Sequence, residues 1–264
     1  MSQVAQRRFA RTLLRTDDGA AGNSPRPSAT ARFGWEIALE PRERHRWFID
    51  RLVEKIEQLG LAVSLEHDFA AFAAATPLME DYRGGVNPAF DPRCNDMSAA
   101  RSFWLRVADG EDRLVSCIAG KLFRVTSLYP MIESLAVWYD NDPTVPHADE
   151  PVEMLSETPR AIAGTVSMTG RLWTHPRWRN RGLSSYLPLL ARSLFLARYA
   201  IDFHFGFVAL PLVRKNLPML RYGFPRVEPC LRVQQRGLPE PIELHLVWMS
   251  RAELLADIDD AVSD

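Results

Sequence analysis

The residues best suited to do chemistry lie together in Trp173-Thr174-His175-Pro176-Arg177-Trp178-Arg179-Asn180-Arg181-Gly182-Leu183-Ser184. An apolar run rises to Leu172-Trp173 and breaks at His175-Pro176. Arg177, Arg179, Arg181 and Gly182 follow, and then a long apolar helical pattern begins. This is the pattern of a strand, a basic turn and the first turn of a helix. The first amides of a helix have no partner within it, and the helix dipole adds partial positive charge there, so the N-terminus is a site for phosphate. Gly182 lets an anion approach the backbone, and the arginines add charge-assisted donors. The residues describe a phosphate cradle. The same pattern also suits a basic surface turn before an amphipathic helix.

The elements around this stretch must position it. Ala161 to Trp173 alternates small, β-branched and apolar residues, which predicts the strand that feeds the turn. After the turn, Leu183, Leu187, Leu190, Leu194 and Ala197 form one apolar stripe, with Pro188 in the second turn of the helix. Upstream, Pro41 opens a helical pattern that ends at Gly60, and a second helix is expected from about His67 to Asp81. Ser102 to Val107 and Leu114 to Val125 read as strands joined by the turn signal Asp109-Gly110. Met131 to Tyr139 suits a strand or a short helix. Asp140 to Arg160, with four prolines and many acids, reads as an inserted loop. Downstream, Asp202 to Leu210 reads as a strand and Val213 to Tyr222 as a helix closed by Gly223. Arg226 to Val233 and Ile242 to Met249 read as strands linked by a Gly-Pro turn, and Ser250 caps a short last helix.

A chain of 264 residues, 47% hydrophobic and 25% charged, can bury a sizeable core. The expected organisation is a flexible basic segment at 1–34, then one domain over 35–264 with an insertion at about 127–160. Residues 1–34 carry six arginines against two aspartates. They read as a solvated tail or, over Val4 to Arg15, as a basic helix for a membrane or an acidic partner. A solvated tail implies that deleting residues 1–30 leaves stability unchanged. A net charge of −1 gives no support to nucleic-acid binding. Cys94, Cys117 and Cys230 are far apart and odd in number, and the six histidines lack ligand spacing, so no metal is expected. With no apolar run of membrane-spanning length and no secretory core at the N-terminus, the expected setting is cytoplasmic.

His-Pro-x-aromatic-Arg-x-x-Gly-x-Ser, as it stands at 175–184, resembles the acetyl-CoA motif of the GNAT acyltransferase superfamily, Arg-x-x-Gly-x-Gly/Ala after a strand. Arg179 and Gly182 match, and Ser184 stands where the family keeps a smaller residue. The order of expected elements also resembles the GNAT fold, best over about 100–250. That resemblance implies an α/β (α+β) chain with a mixed, mostly antiparallel central sheet, flanked by helices and splayed at the acyl-CoA site. It further implies that amides of Arg179, Asn180, Arg181, Gly182, Leu183 and Ser184 hold the CoA pyrophosphate. Leu172, Trp173 and Thr174 would align the pantetheine arm, one amide there polarising the thioester carbonyl.

Asn216-Leu217-Pro218-Met219-Leu220-Arg221-Tyr222-Gly223-Phe224 resembles the family's late helix ending in Tyr-x-x-x-Gly-Phe. The family's tyrosine position holds Met219, which cannot donate a proton, so the candidate acid is Tyr222. Asn216 caps that helix or touches CoA. The strand Ala161–Trp173 has no Asp or Glu where relatives keep a base, and Glu133, in an apolar segment, is the candidate in its stead. The activity implied is transfer of an acetyl or short acyl group from acyl-CoA to a primary amine, by direct attack in a ternary complex. Asp140, Asp142, Asp149, Glu150, Glu153 and Glu157 suit a cationic acceptor. The departures at Met219 and in the strand equally suit a CoA-binding or regulatory protein that has lost catalysis.

Overall fold

The computed structural model describes residues 9–14, 27–79, 86–140, 152–234 and 240–262. Its helices are α1 (Phe9–Leu14), α2 (Ala29–Arg32), α3 (Arg42–Glu57), α4 (Phe69–Ala75), α5 (Tyr129–Glu133), α6 (Leu183–Tyr199), α7 (Leu210–Arg214), α8 (Leu217–Leu220) and α9 (Arg251–Val262). The strands are β1 (Ala62–Glu66), β2 (Ser102–Ala108), β3 (Leu114–Val125), β4 (Val152–Met154), β5 (Gly164–Thr174), β6 (Phe203–Ala209), β7 (Arg226–Val233) and β8 (Ile242–Ser250). They form one sheet in the order β1-β2-β3-β5-β6-β8-β7-β4. Every neighbour pair is antiparallel except β5 and β6, which are parallel. This is the mixed, mostly antiparallel sheet that the GNAT resemblance implies.

The period of two along the strands sends side chains to two cores, one on each face. In β2, Phe103, Leu105 and Val107 join the core under α3, α6 and α9, while Trp104 joins the core under α4 and α5. In β3, Val115, Ile118 and Leu122 take the first face, and Cys117, Ala119 and Phe123 the second. Helix α3 buries Phe48, Ile49, Leu52, Val53 and Ile56, as its apolar stripe requires. Helix α6 is buried on nearly every side and lies against β3 and β5. Gly120 of β3 makes that approach possible, since a Cβ there would sit 2.5 Å from the Phe195 ring. At the end of β8 the Glu253 amide meets Ser250 Oγ at 3.4 Å and the Ser250 amide donates to Glu253 Oε2 at 2.9 Å, a capping box that starts α9.

Four regions differ from the sequence reading. The helix expected over 67–81 is the short α4, capped by Asp68 and preceded by β1, which pairs with β2 from Ala62 to Glu66. Five residues with polar Ser64 and Glu66 give too little alternation to announce a strand, and pairing decides it. The helix expected over 213–222 is two short helices separated at Asn216, whose φ is +55°. Pro211 and Pro218 lie in the first turns of α7 and α8, where proline starts a helix readily. Asn216 offers no side-chain cap to α8. The inserted loop expected over Asp140 to Arg160 supplies β4, which pairs with β7 at the sheet edge, while α5 before it is a short helix that reaches into the Met131–Tyr139 segment. Residues 141–150, with Asp142, Asp149 and Glu150, lie outside the described residues, as do residues 235–239 of the expected Gly-Pro turn.

The fourth difference is at the N-terminus. Residues 1–8 and 15–26 lie outside the described residues, but α1 and α2 belong to the packed body. Helix α1 lies against α9, α3 and α6, with Ala10 1% and Leu14 5% exposed. The Ala29 amide donates to Asp50 Oδ1 at 2.7 Å, and the indole of Trp35 donates to the Leu194 carbonyl at 3.0 Å. One apolar turn such as Phe9-Ala10-Leu13-Leu14 becomes buried only when other helices offer a matching groove. Leu14→Ala is therefore expected to destabilise the chain by about 2 kcal/mol in denaturant unfolding, the usual loss for a buried leucine; an unchanged midpoint would restore the solvated tail.

Candidate functional site

The site begins with an interruption in the sheet. Strands β5 and β6 are paired only at Val166–Phe203, Ser167–His204 and Met168–Phe205. Beyond these, β5 stays with β3 as far as Thr174, and β6 stays with β8 as far as Ala209. The two strands diverge, and beyond these pairs their facing edges carry main-chain N–H and C=O groups that no strand among the described residues pairs with. The wedge holds a cavity of about 770 Å³, bordered by residues 169–172 of β5 and 206–209 of β6. A bulge lies within this border. The β3–β5 register shifts between Cys117 and Ala119, opposite Arg171, whose φ is +58°. A bulge re-aims the local backbone and is common beside active sites.

At the end of β5 the chain makes the basic turn. His175 Nδ1 accepts from the Arg177 amide at 3.2 Å, and Pro176–Trp178 forms a single 3-10 turn. Arg179 Nε donates to the Thr174 carbonyl at 3.2 Å, which folds that side chain back over the strand end. Arg181 lies over the Trp178 ring at 4.7 Å. Asn180 and Gly182 both have positive φ, +63° and +87°. Gly182 precedes the first residue of α6 and supplies no side-chain cap. The amides of residues 180–184 meet no protein acceptor among the described residues. Successive amides in this geometry make an anion-binding concavity at a helix N-terminus. Gly182 is needed twice over, by its φ and because a Cβ would lie 2.6 Å from the Tyr186 ring.

The stretch singled out in the sequence thus converges, with different parts contributing. Leu172 borders the cavity. Trp173 turns its ring to the opposite core, and its carbonyl accepts from Ser116 Oγ at 2.5 Å. Leu183 is 1% exposed in the core, so it offers the anion site only its amide. Asn216 and Glu133 do not border the cavity. Glu133 is exposed at the end of α5, so the catalytic part expected of it is not supported. Tyr222 does border the cavity, and burial pushes its phenol upward from the ordinary value. It reaches the cavity from the segment after α8 instead of from a continuous helix.

Three buried polar groups that the sequence reading passed over hold the walls. Arg192 of α6, 1% exposed, donates to the Tyr222 carbonyl at 2.6 Å and to Asp257 Oδ2 of α9 at 3.0 Å. Burial pushes Asp257 up to about 6, with Arg192 opposing the shift. His204 of β6 is fully buried and is held well below its usual value, first by burial and then by Arg192. Its Nδ1 lies 2.8 Å from Ser167 Oγ and its Nε2 3.1 Å from Thr169 Oγ1, tying β5 to β6 just where they part. Lys121 of β3 is completely buried, and its Nζ donates to Asn95 Oδ1 at 2.6 Å. Asn95 Nδ2 in turn donates to the Trp138 carbonyl at 2.8 Å and to the Pro88 carbonyl. Trp138 and Pro88 both border the cavity. The available signal was a charged or titratable residue inside an apolar run: Arg192 among leucines, Lys121 in β3, His204 among phenylalanines.

Among the described residues no group of His, Cys, Asp and Glu could hold a metal ion, and no helix is long and apolar enough to cross a membrane. No protein-family model matches the chain, and no curated protein does. Among solved structures it is similar to NAA60 of Arabidopsis thaliana in complex with acetyl-CoA, at 10% identity and a TM-score of 0.44, covering 72% of this chain and 99% of that one. It is similar to a GNAT-family acetyltransferase of Streptococcus pneumoniae, at 11% identity and 0.41, covering 72% and 99%. It is also similar to a chimera of the Vibrio cholerae spermidine N-acetyltransferase, at 7% identity and 0.43, covering 74% and 98%.

Lys121 gives the site a pH signature. Burial lowers its value from 10.5 to about 7, with Asp140 opposing and Arg101 assisting. The unfolded chain therefore binds more protons between about 7 and 10.5, and stability falls as pH is lowered through that window. The melting temperature of the wild type should fall relative to Lys121→Met over this window and level off below it. Parallel curves for the two proteins would show that Lys121 stays charged in the fold.

Proposed function

We propose that this chain transfers an acetyl or short acyl group from acyl-CoA to a primary amine by direct attack in a ternary complex. One observation carries the reading. The wedge between β5 and β6 lies between the strand that leads into the turn and the helix α6 that follows it, and the amides of residues 180–184 meet no protein acceptor among the described residues. An elongated donor that is anionic at one end and polar along its arm fits that sequence of surfaces. The amides from Asn180 to Ser184 and the exposed arginines 179 and 181 hold the pyrophosphate. The edge of β5 that faces the wedge hydrogen-bonds the pantetheine amides as a further strand would. Amides at the Arg171–Leu172 bulge donate to the thioester oxygen, where negative charge grows as the amine attacks.

In that step the amine nitrogen bonds to the carbonyl carbon and the carbon–sulfur bond breaks. Tyr222, kept protonated by its burial, donates its proton to the leaving sulfur. The proton lost by the amine restores the phenol by way of solvent. No Asp, Glu or His borders the cavity among the described residues, so the amine is taken up in its neutral form and positioning supplies most of the acceleration. The same absence favours a second reading, a protein that binds CoA without turnover. Thiol release from acetyl-CoA over a panel of amines separates the two, and binding without release on any acceptor selects the second.

Arg179→Ala and Gly182→Asp should each weaken acetyl-CoA binding at least about tenfold, ~1.4 kcal/mol, by titration calorimetry; unchanged affinity for both would remove the cradle. Tyr222→Phe should lower kcat by about a hundredfold with the donor Kd unchanged. If kcat survives that substitution, the proton to sulfur comes from elsewhere.

A further inference from the structure

Tyr222 reaches the cavity from the segment Tyr222-Gly223-Phe224, between α8 and β7. A different element holds each of its three residues. The Tyr222 carbonyl accepts from Arg192 Nη1 of α6 at 2.6 Å, and Arg192 is held in turn by Asp257 of α9. The Phe224 ring borders the cavity and stacks on the His204 ring of β6, with centroids 5.7 Å apart and planes at 8°. Between them stands Gly223, buried, with φ at +69°. Its neighbour is Phe9, the first residue of α1. A Cβ on Gly223 would lie 2.6 Å from both Phe9 Cδ1 and Phe9 Cε1, and 3.0 Å from Arg192 Nη2. The edge of the Phe9 ring thus fills the space that a side chain at 223 would take.

A glycine has the widest choice of backbone conformation, so beside a reacting side chain it is a hinge unless something restrains it. The bond from Arg192 fixes one carbonyl oxygen and leaves rotation about that point. The stack of Phe224 on His204 is a contact between faces, which resists separation more than sliding. The Phe9 edge, set against Gly223 itself, closes the direction that the other two leave open. Phe9 is firmly seated, because α1 buries Ala10 and Leu14 against α9, α3 and α6. Helix α9 also carries Asp257, so α1 and the Arg192 anchor share one support. The precision matters, since a shift of about 1 Å at a reacting group can cost on the order of a hundredfold in rate.

We propose that Phe9 is a positioning residue for acyl transfer, its ring holding Gly223, and through it the Tyr222 phenol, where the proton reaches the leaving sulfur. This rests on the acyl-transfer reading above. The N-terminal helix is on this account part of the wall of the site. Freeing it would silence turnover without disturbing the donor cradle at residues 179–184.

The test uses the full chain with acetyl-CoA and the amine of the panel that gives the fastest thiol release. Phe9→Ala should lower kcat by about tenfold, with the KM for that amine and the calorimetric Kd for acetyl-CoA unchanged. Phe9→Leu, which keeps α1 packed, should lose about threefold. Thr12→Ala, at an exposed position of the same helix, should lose nothing. In a Tyr222→Phe background either Phe9 substitution should change kcat by less than about twofold, because the group it positions is already gone. Hydrogen exchange at residues 217–224 should quicken in Phe9→Ala and not in Thr12→Ala. An unchanged kcat, or the same loss in both backgrounds, would overturn the inference and leave the acyl-transfer reading standing. So would unchanged exchange at residues 217–224. Acetyl-CoA binding with no thiol release from any amine would overturn the acyl-transfer reading, and the part of Phe9 with it.

Discussion

The parallel ladder between β5 and β6 stops after three residue pairs, and most of what is distinctive in this molecule follows from that stop. Backbone amides and carbonyls removed from water need partners, so a sheet that opens in its middle exposes groups that something else must satisfy. Here the opening is framed by strands that remain fully paired on their outer sides. The wedge is therefore a stable gap between two half-sheets. It supplies hydrogen-bonding edges and a cavity between them, and at the head of α6 stands a set of amides that meet no protein acceptor among the described residues.

Holding such a gap open takes buried polar anchors. His204 joins the strands with two hydroxyl contacts at the last paired residues and is kept neutral by its burial. Arg192 reaches through the core to hold the Tyr222 carbonyl, with Asp257 as its counter-charge. Removing one partner of a buried pair of this kind leaves an uncompensated charge, at about 3–5 kcal/mol. An apolar replacement of both would be far cheaper, so the pair earns its place through the geometry it fixes. Lys121 and Asn95 do the same for the opposite wall. These groups touch neither end of the cavity directly, yet they decide where its sides stand.

Much of the frame was legible in the residues. The helix from Pro41 to Gly60, the hairpin at Asp109-Gly110, the strand into Trp173 and the helix after Gly182 all carry strong local signals, and the structure forms each of them. The turn from His175 to Ser184 was legible for the same reason. Proline, glycine and the switch from period two to a helical stripe are local, and they act without distant partners. Where the reading went astray, distant partners decided. The five residues of β1 become a strand because β2 offers an edge, and Val152–Met154 because β7 does. Phe9–Leu14 becomes a buried helix because α9, α3 and α6 make a groove for it.

The sequence by itself determined the turn: glycine at 182 where φ is positive, arginines around it, a strand before and a helix after. It also determined that this strand carries no carboxylate, since no fold can supply one that Ala161 to Trp173 does not contain. Only the tertiary structure decided which side chains reach the cleft. Glu133 and Asn216 do not border it and Tyr222 does, because the breaks at Asn216 and after α5 set directions that no periodicity encodes. The pairing of Trp138 with Phe207, and of Lys121 with Asn95, joins residues tens of positions apart. Such contacts come from packing two layers around one sheet, and their energy exists only once that sheet has closed around them.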